Sequence, residues 1–159
     1  MKITKVTIDV SGTFDTTIST ENGTININST GKISNIELEG NISYNMSGKV
    51  SSVGNIMIGY NMSGKVSSIG KIMIDYNMSG KVSSIGKIMI GYNMSGKVSS
   101  IGNIMIGYNM SGKVISIGNN TIGYNMSGKV ISGLRTVVFN EIKFALKGGY
   151  WTLSRKVCK

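Results

Sequence analysis

Six lysines stand sixteen residues apart in this chain: Lys49, Lys65, Lys81, Lys97, Lys113 and Lys129, each directly after a glycine. A row of ammonium groups at one repeat position can neutralise a polyanion, such as a nucleic acid or an anionic glycan. The same row can serve only to keep a sheet margin soluble. Four asparagines at the same period, Asn61, Asn77, Asn93 and Asn109, each follow a tyrosine and complete the candidate interaction surface. Catalysis has far less to work with. The 159 residues contain no His, the commonest general base and metal ligand. The single Cys, Cys158, has no His partner to activate it and forms no Cys-based zinc site. The acids are Asp9, Asp15, Glu21, Glu37, Glu39, Asp75 and Glu141, and no two make a spaced pair on a recognisable scaffold. No glycine-rich phosphate loop occurs. Thioether ladders, Met62 to Met126 and Met57 to Met105, are expected to fill a core rather than hold a soft metal. The chain therefore reads as non-enzymatic, with no catalytic, cofactor or metal residues, and a small-molecule ligand is not expected.

The elements that position these residues come from a tandem repeat, which has to be found before any fold is assigned. Gly70–Ile85 reads GKIMIDYNMSGKVSSI, Gly86–Ile101 reads GKIMIGYNMSGKVSSI, and Gly102–Ile117 reads GNIMIGYNMSGKVISI. Weaker copies flank them: Gly40 begins GNISYNMSGKVSSV, Gly23 begins GTININSTGKISNI, and Ile8–Phe14, IDVSGTF, resembles YNMSGKV. The whole chain, 1–159, reads as one array. Residues 1–43 are degenerate N-terminal repeats or a cap, 44–132 are regular 16-residue repeats, and 133–159 are a degenerate final repeat and a C-terminal hairpin cap. Terminal repeats of an array are atypical because they must close it.

Within one repeat, interior glycines cost a helix about 1 kcal/mol each. Ile56, Ile58, Tyr60 and Met62 alternate with Met57, Gly59, Asn61 and Ser63, the period of a strand with one buried face. Ser63-Gly64 and Gly70-Lys71 are the expected two-residue turns. That pairing sets Met62 against Lys65, Tyr60 against Ser67, Ile58 against Ile69 and Ile69 against Ile72. It also sets Lys65 beside Tyr76, in reach of a cation–π contact. The fold class is all-β: tandem β-hairpin repeats in an elongated, twisted antiparallel meander. A parallel β-solenoid with one repeat per coil is the alternative. At the end, Ile142, Phe144 and Leu146 alternate, Gly148-Gly149 offers a turn, and Trp151 and Leu153 alternate, as in a closing hairpin.

The heptad Tyr-Asn-Met-Ser-Gly-Lys-Val, as at Tyr60–Val66, resembles the YD (Rhs-type) repeat, Tyr-Asp-x-x-Gly-Arg-(Leu/Val). Copies start at Tyr44, Tyr60, Tyr76, Tyr92, Tyr108 and Tyr124, with Asn for Asp and Lys for Arg. The resemblance implies β-hairpins in a long spiralling sheet. It also implies a bacterial protein, often exposed at the surface or secreted. The period is shorter here, and no toxin domain accompanies the repeats.

Charge is unevenly spread. Residues 1–43 carry three lysines and five acids, 44–132 eight lysines and one acid, and 133–159 six cations and one acid, giving +10 overall. Charged residues are only 15% of the chain, so this excess is largely one repeated lysine. The N-terminus lacks the apolar core of a standard secretory signal, and no stretch reaches the roughly 18 apolar residues that span a bilayer. The default expectation is cytoplasmic, with non-classical export or a surface location as the other course. The expected partners are another protein or a second copy of the chain, with an anionic polymer as the alternative.

Overall fold

The computed structural model describes residues 1–148, and these form nineteen strands and no helix. They fall into two compact units, one made of Met1–Thr4 and Asp15–Ile90, the other of Lys5–Phe14 and the chain from Gly91 onward.

In the first unit, β2 (Phe14–Thr20), β3 (Gly23–Asn28) and β4 (Ile33–Leu38) form antiparallel neighbours. Phe14, Thr16 and Ile18 of β2, like Ile25 and Ile27 of β3, are buried at every second position, so one face of this sheet is core. A ladder follows in sequence order: β5 (Ile42–Tyr44), β6 (Val50–Val53), β7 (Ile56–Tyr60), β8 (Val66–Ile69), β9 (Ile72–Tyr76), β10 (Val82–Ile85) and β11 (Ile88–Tyr92). Every pairing in it is antiparallel, which excludes the parallel solenoid. Among the described residues, β4 pairs only with β3 and β5 only with β6, so both sheets are open.

In the second unit the ladder comprises β12 (Val98–Ile101), β13 (Ile104–Tyr108), β14 (Val114–Ile117) and β15 (Asn120–Thr121), again antiparallel. β16 (Gly123–Tyr124) and β17 (Val130–Ser132) form the last hairpin. β18 (Thr136–Phe139) and β19 (Ile142–Lys147) form another, and β19 also pairs in parallel with β1 (Lys2–Asp9) from Lys5 to Asp9. That parallel pair departs from a pure meander: the two ends of the described chain meet side by side. The expected turn at Gly148-Gly149 and the strand through Trp151 and Leu153 lie outside the described residues.

One turn of each repeat is as expected. Gly70-Lys71 links Ile69 to its partner Ile72, and Gly70 has φ +58°, as the first residue of a II′ hairpin turn requires. The other turn is longer than the expected Ser63-Gly64. It spans Asn61–Lys65: Asn61 N–H donates to Lys65 O at 2.8 Å and Gly64 N–H to Asn61 O at 2.9 Å. Gly64, with φ +83°, takes the left-handed place that closes such a three-residue loop. The register corrects accordingly. Ile58 does oppose Ile69, but Tyr60 opposes Val66, and Gly59 opposes Ser68, so Ser67 is an extra, bulged residue. Met62 does not face Lys65 across a strand.

The bulge explains a burial pattern that strict alternation does not. Val66 and Ile69, three apart, are both buried, as are Val82 with Ile85, Val98 with Ile101 and Val114 with Ile117. Fully burying one such aliphatic side chain contributes roughly 1.5–3 kcal/mol. Val66, which strict alternation through a two-residue turn would put on the opposite face from the isoleucines, belongs to the core. The methionines do not: Met57, Met62 and their repeats are exposed.

Candidate interaction surface

The five-residue turn sets the geometry of the surface. The side chain of Asn61 folds over its own loop, and its Oδ1 accepts from Ser63 N–H at 2.9 Å and Lys65 N–H at 3.0 Å. Asn77 and Asn93 do the same at the same distances, and Asn109 accepts from Lys113 N–H at 3.0 Å. This is the Asx geometry for which Asn is favoured in turns. The asparagines of the expected surface are thus the internal braces of the turns that carry it.

The lysines reach from one repeat to the next. Lys49 Nζ donates to Gly64 O at 2.6 Å and lies 5.4 Å from the centre of the Tyr60 ring. Lys65 Nζ donates to Gly80 O and lies 5.4 Å from the Tyr76 ring, the cation–π pair anticipated from the spacing. In the second unit Lys97 Nζ donates to Gly112 O at 2.7 Å and lies 5.6 Å from Tyr108. Lys113 lies 3.5 Å from Gly128 O and 5.4 Å from Tyr124. A Cβ at Gly64 would sit 2.6 Å from Lys49 Nζ, so glycine is needed there for this approach as well as for φ. Lys81 also has a partner. Lys129, in the last hairpin, makes none of these contacts among the described residues.

Tyr60, Tyr76, Tyr108 and Tyr124 close the same clamp from the other side. Tyr60 Oη donates to Val50 O at 2.7 Å, Tyr76 Oη to Val66 O, Tyr108 Oη to Val98 O at 2.5 Å and Tyr124 Oη to Val114 O at 2.5 Å. Burial pushes these phenols up: to about 12 for Tyr76 and Tyr108, and upward for Tyr60, Tyr92 and Tyr124. They are neutral donors at any physiological pH. A charge-assisted hydrogen bond contributes about 1.5–3 kcal/mol, and a cation–π contact about 0.5–1 kcal/mol at exposed sites. Lys, Tyr and Gly together act as a register lock between repeats.

The methionines hold the exposed positions instead. Met46, Met62 and Met78 in the first unit, and Met94, Met110 and Met126 in the second, occupy the second place of the turn and are fully exposed. Met57, Met73, Met89 and Met105 are 58–65% exposed on the outward ladder face, opposite Ser52, Ser68, Ser84 and Ser100. A signal for both was present in the sequence. Met62 stands between an Asx-turn Asn and Ser-Gly, where no strand face exists. Met57 lies between two isoleucines of the buried face, so alternation turns it outward.

The first unit also holds a cavity of about 570 Å³ beside β4, lined by Ile33, Ile36, Val50 and Val66 with Lys32 and Tyr60 among its polar groups. No family profile, curated protein or solved structure matches this chain. Its function has to be read from its own surface. Among the described residues, no helix is long and apolar enough to cross a membrane. No three His, Cys, Asp or Glu side chains gather as metal ligands there either.

Proposed function

We propose that this protein is a non-enzymatic β-repeat module that works by presenting a periodic surface to a protein partner. The observation that carries the reading is the division of labour within the repeat. Lys, Tyr and Asn join and brace repeats, while methionine, the most adaptable apolar side chain, is left in water at the Tyr-Asn-Met turn of each regular repeat. Rows of exposed apolar side chains set among Ser and Gly are what interaction surfaces offer. A kinship with YD-type repeats belongs to the same proposal, since the Tyr-Asn-x-x-Gly-Lys-Val heptad closes a hairpin here. The polyanion reading draws on less: Lys49, Lys65 and Lys97 already direct their ammonium groups at backbone carbonyls.

Methionine oxidation footprinting tests the module reading. The purified chain and the chain in extracts of the cells that make it are treated briefly with peroxide, and sulfoxides are mapped by mass spectrometry. A run of turn methionines, Met62 to Met110, oxidised in the purified chain and protected in the extract, is the expected result. Equal oxidation in both overturns the reading.

A further inference from the structure

Val50 stands one repeat before Val66, and its surroundings differ from those of its equivalents. Val66, Val82, Val98 and Val114 are 0–1% exposed, and the N–H of each donates to a carbonyl of a turn outside the ladder. In the first unit those acceptors are Gly31 O for Val66 and Ser29 O for Val82. The next residue at that spacing, Ile33, has already entered β4 and pairs with Ile27. Val50 is only half-buried, and among the described residues no turn carbonyl meets its N–H.

The cavity of about 570 Å³ opens at this place, and all its lining residues belong to the first unit. Ile33 and Ile36 of β4, both half-buried, line it with Val50 and Val66. Its volume suits a small ligand, and an apolar body fits these aliphatic groups. The charged groups of the lining are all cations: Lys32, Lys49 and Lys65, with no Asp or Glu among them. Lys49 and Lys65 each give one N–H to a glycine carbonyl, Gly64 O and Gly80 O. An ammonium group has three donors, so each keeps N–H groups for an anion. Lys32, in the same lining, is exposed.

We propose that this cavity binds an amphiphilic carboxylate, a free fatty acid, whose alkyl chain packs against Ile33, Ile36, Val50 and Val66 and whose carboxylate lies among Lys32, Lys49 and Lys65. The alkyl chain gives Val50 the cover that its equivalents receive from packed protein. A hydrogen bond from ammonium to carboxylate is roughly twice as strong as a neutral one, and it fixes which end of the ligand meets the lysines. A cationic amphiphile of the same length lacks it and is repelled. The site involves neither the turn methionines nor a protein partner, so it stands independently of the module reading. No motif marks it, because β4 and the segment from Lys49 to Val66 meet only through the fold.

Isothermal titration calorimetry of the full chain with dodecanoate, kept below its micellar concentration, tests the proposal. Dodecyltrimethylammonium, with the same alkyl chain and a cationic head, is the control, and methyl NMR spectra locate the bound chain. One dodecanoate per chain is expected, with shifts at the Ile33 and Ile36 methyls and none at Ile101 or Ile117 in the second unit. The cationic amphiphile should bind at least about tenfold more weakly. Lys32→Glu, at an exposed position, should weaken dodecanoate about tenfold, and Ile36→Trp, which fills the cavity, should abolish its binding. Unchanged circular dichroism and melting without ligand check that each variant folds, and Lys32→Glu decides the matter if Ile36→Trp does not fold. Failure to bind dodecanoate, equal binding of the two amphiphiles, methyl shifts confined to the exposed methionines, or an affinity unmoved by Lys32→Glu each overturns the proposal. So do shifts at Ile33 and Ile36 that grow with protein concentration alone, since a second copy then fills the cavity.

Discussion

The same five-residue turn is used in two ways. In the ladder, Asn45–Lys49 and Asn61–Lys65 carry at the second place a methionine that is fully exposed. In the first unit, Asn28–Lys32 makes the same two backbone hydrogen bonds, Asn28 N–H to Lys32 O at 2.9 Å and Gly31 N–H to Asn28 O at 3.0 Å. That turn, however, is docked. Its Gly31 and Ser29 carbonyls accept from Val66 and Val82 N–H, each at 3.0 Å, and so hold two successive repeats. The second unit repeats the arrangement with Asp9–Thr13: Gly12 O accepts from Val98 N–H and Val10 O from Val114 N–H, each at 3.1 Å. In both docked turns the second and fourth carbonyls do the holding. The second side chain differs between the two classes: it is the buried Ser29 in one docked turn and the half-buried Val10 in the other, whereas a fully exposed methionine stands there in the free ones.

The strongest way to separate the two classes is to add a methyl group to each. Gly31 and Gly48 have nearly the same φ, +86° and +85°. A Cβ at Gly31 would come within 2.2 Å of Tyr76 Oη and 2.6 Å of its ring, whereas at Gly48 it meets nothing. The left-handed φ alone costs a non-glycine residue roughly 1–2 kcal/mol. Gly48→Ala should lose about that much. Gly31→Ala adds a clash with a packed ring and should lose about 3 kcal/mol. Urea denaturation of the two variants measures the difference, and equal losses would mean the docked turn is not held against Tyr76.

A smaller contrast comes from the asparagine braces. Asn28 Oδ1 accepts from Thr30 N–H at 3.0 Å, the Thr30 hydroxyl at 2.8 Å and Lys32 N–H at 3.1 Å. Asn45 Oδ1 accepts from Ser47 N–H at 2.9 Å and Lys49 N–H at 3.0 Å. With each net hydrogen bond contributing about 0.5–1.5 kcal/mol, Asn28→Ala should lose about 2 kcal/mol and Asn45→Ala about 1 kcal/mol. Thermal melting of the pair checks the ranking.

Much of this was legible in the sequence, and the limits have physical causes. The strands, the Gly70-Lys71 turn, the Ile58–Ile69 register and the Lys65–Tyr76 contact all follow from alternation and glycine placement, which are local. The likeness of IDVSGTF to the repeat heptad also holds in three dimensions, as one turn geometry. The Met62–Lys65 pairing failed because an Asx turn and a bulged Ser67 insert residues that a period of two does not count. The core role given to methionine failed with it. Docking of the Asn28 and Asp9 turns was not legible, because it depends on backbone carbonyls meeting valine N–H groups far away in sequence. Side-chain type carries no record of that. The lysine row was visible in the sequence as charge, but the ammonium groups of Lys49, Lys65 and Lys97 turn out to face carbonyls of their own chain.

Alkaline pH should loosen the docked side as well. Tyr76 lies under the Gly31 turn, and burial raises its phenol to about 12 from an ordinary value of 10.0. A raised folded value means the unfolded chain loses this proton first. The contribution is therefore fully present below pH 10 and is lost as pH rises from 10 towards about 12. Tyrosinate absorbance near neutral-to-alkaline titration, followed with chemical denaturation at each pH, should show stability falling over that window. Tyr76→Phe, which cannot ionise, should flatten part of the fall.

The smallest effect belongs to the free turns. Met62 is fully exposed and neither of the turn's backbone hydrogen bonds depends on its side chain. Met62→Ser places in a free turn the residue type that the docked turn carries at Ser29, and should change stability by less than about 0.5 kcal/mol. The reverse exchange, Ser29→Met, forces a longer side chain into a buried place and should lose about 1–3 kcal/mol. If Met62→Ser were as harmful as Ser29→Met in the same denaturation assay, the tip methionines would be structural and the division between docked and free turns would collapse. If it is silent, folding does not require methionine at the six turn tips, since serine serves the same turn geometry equally well elsewhere in the chain.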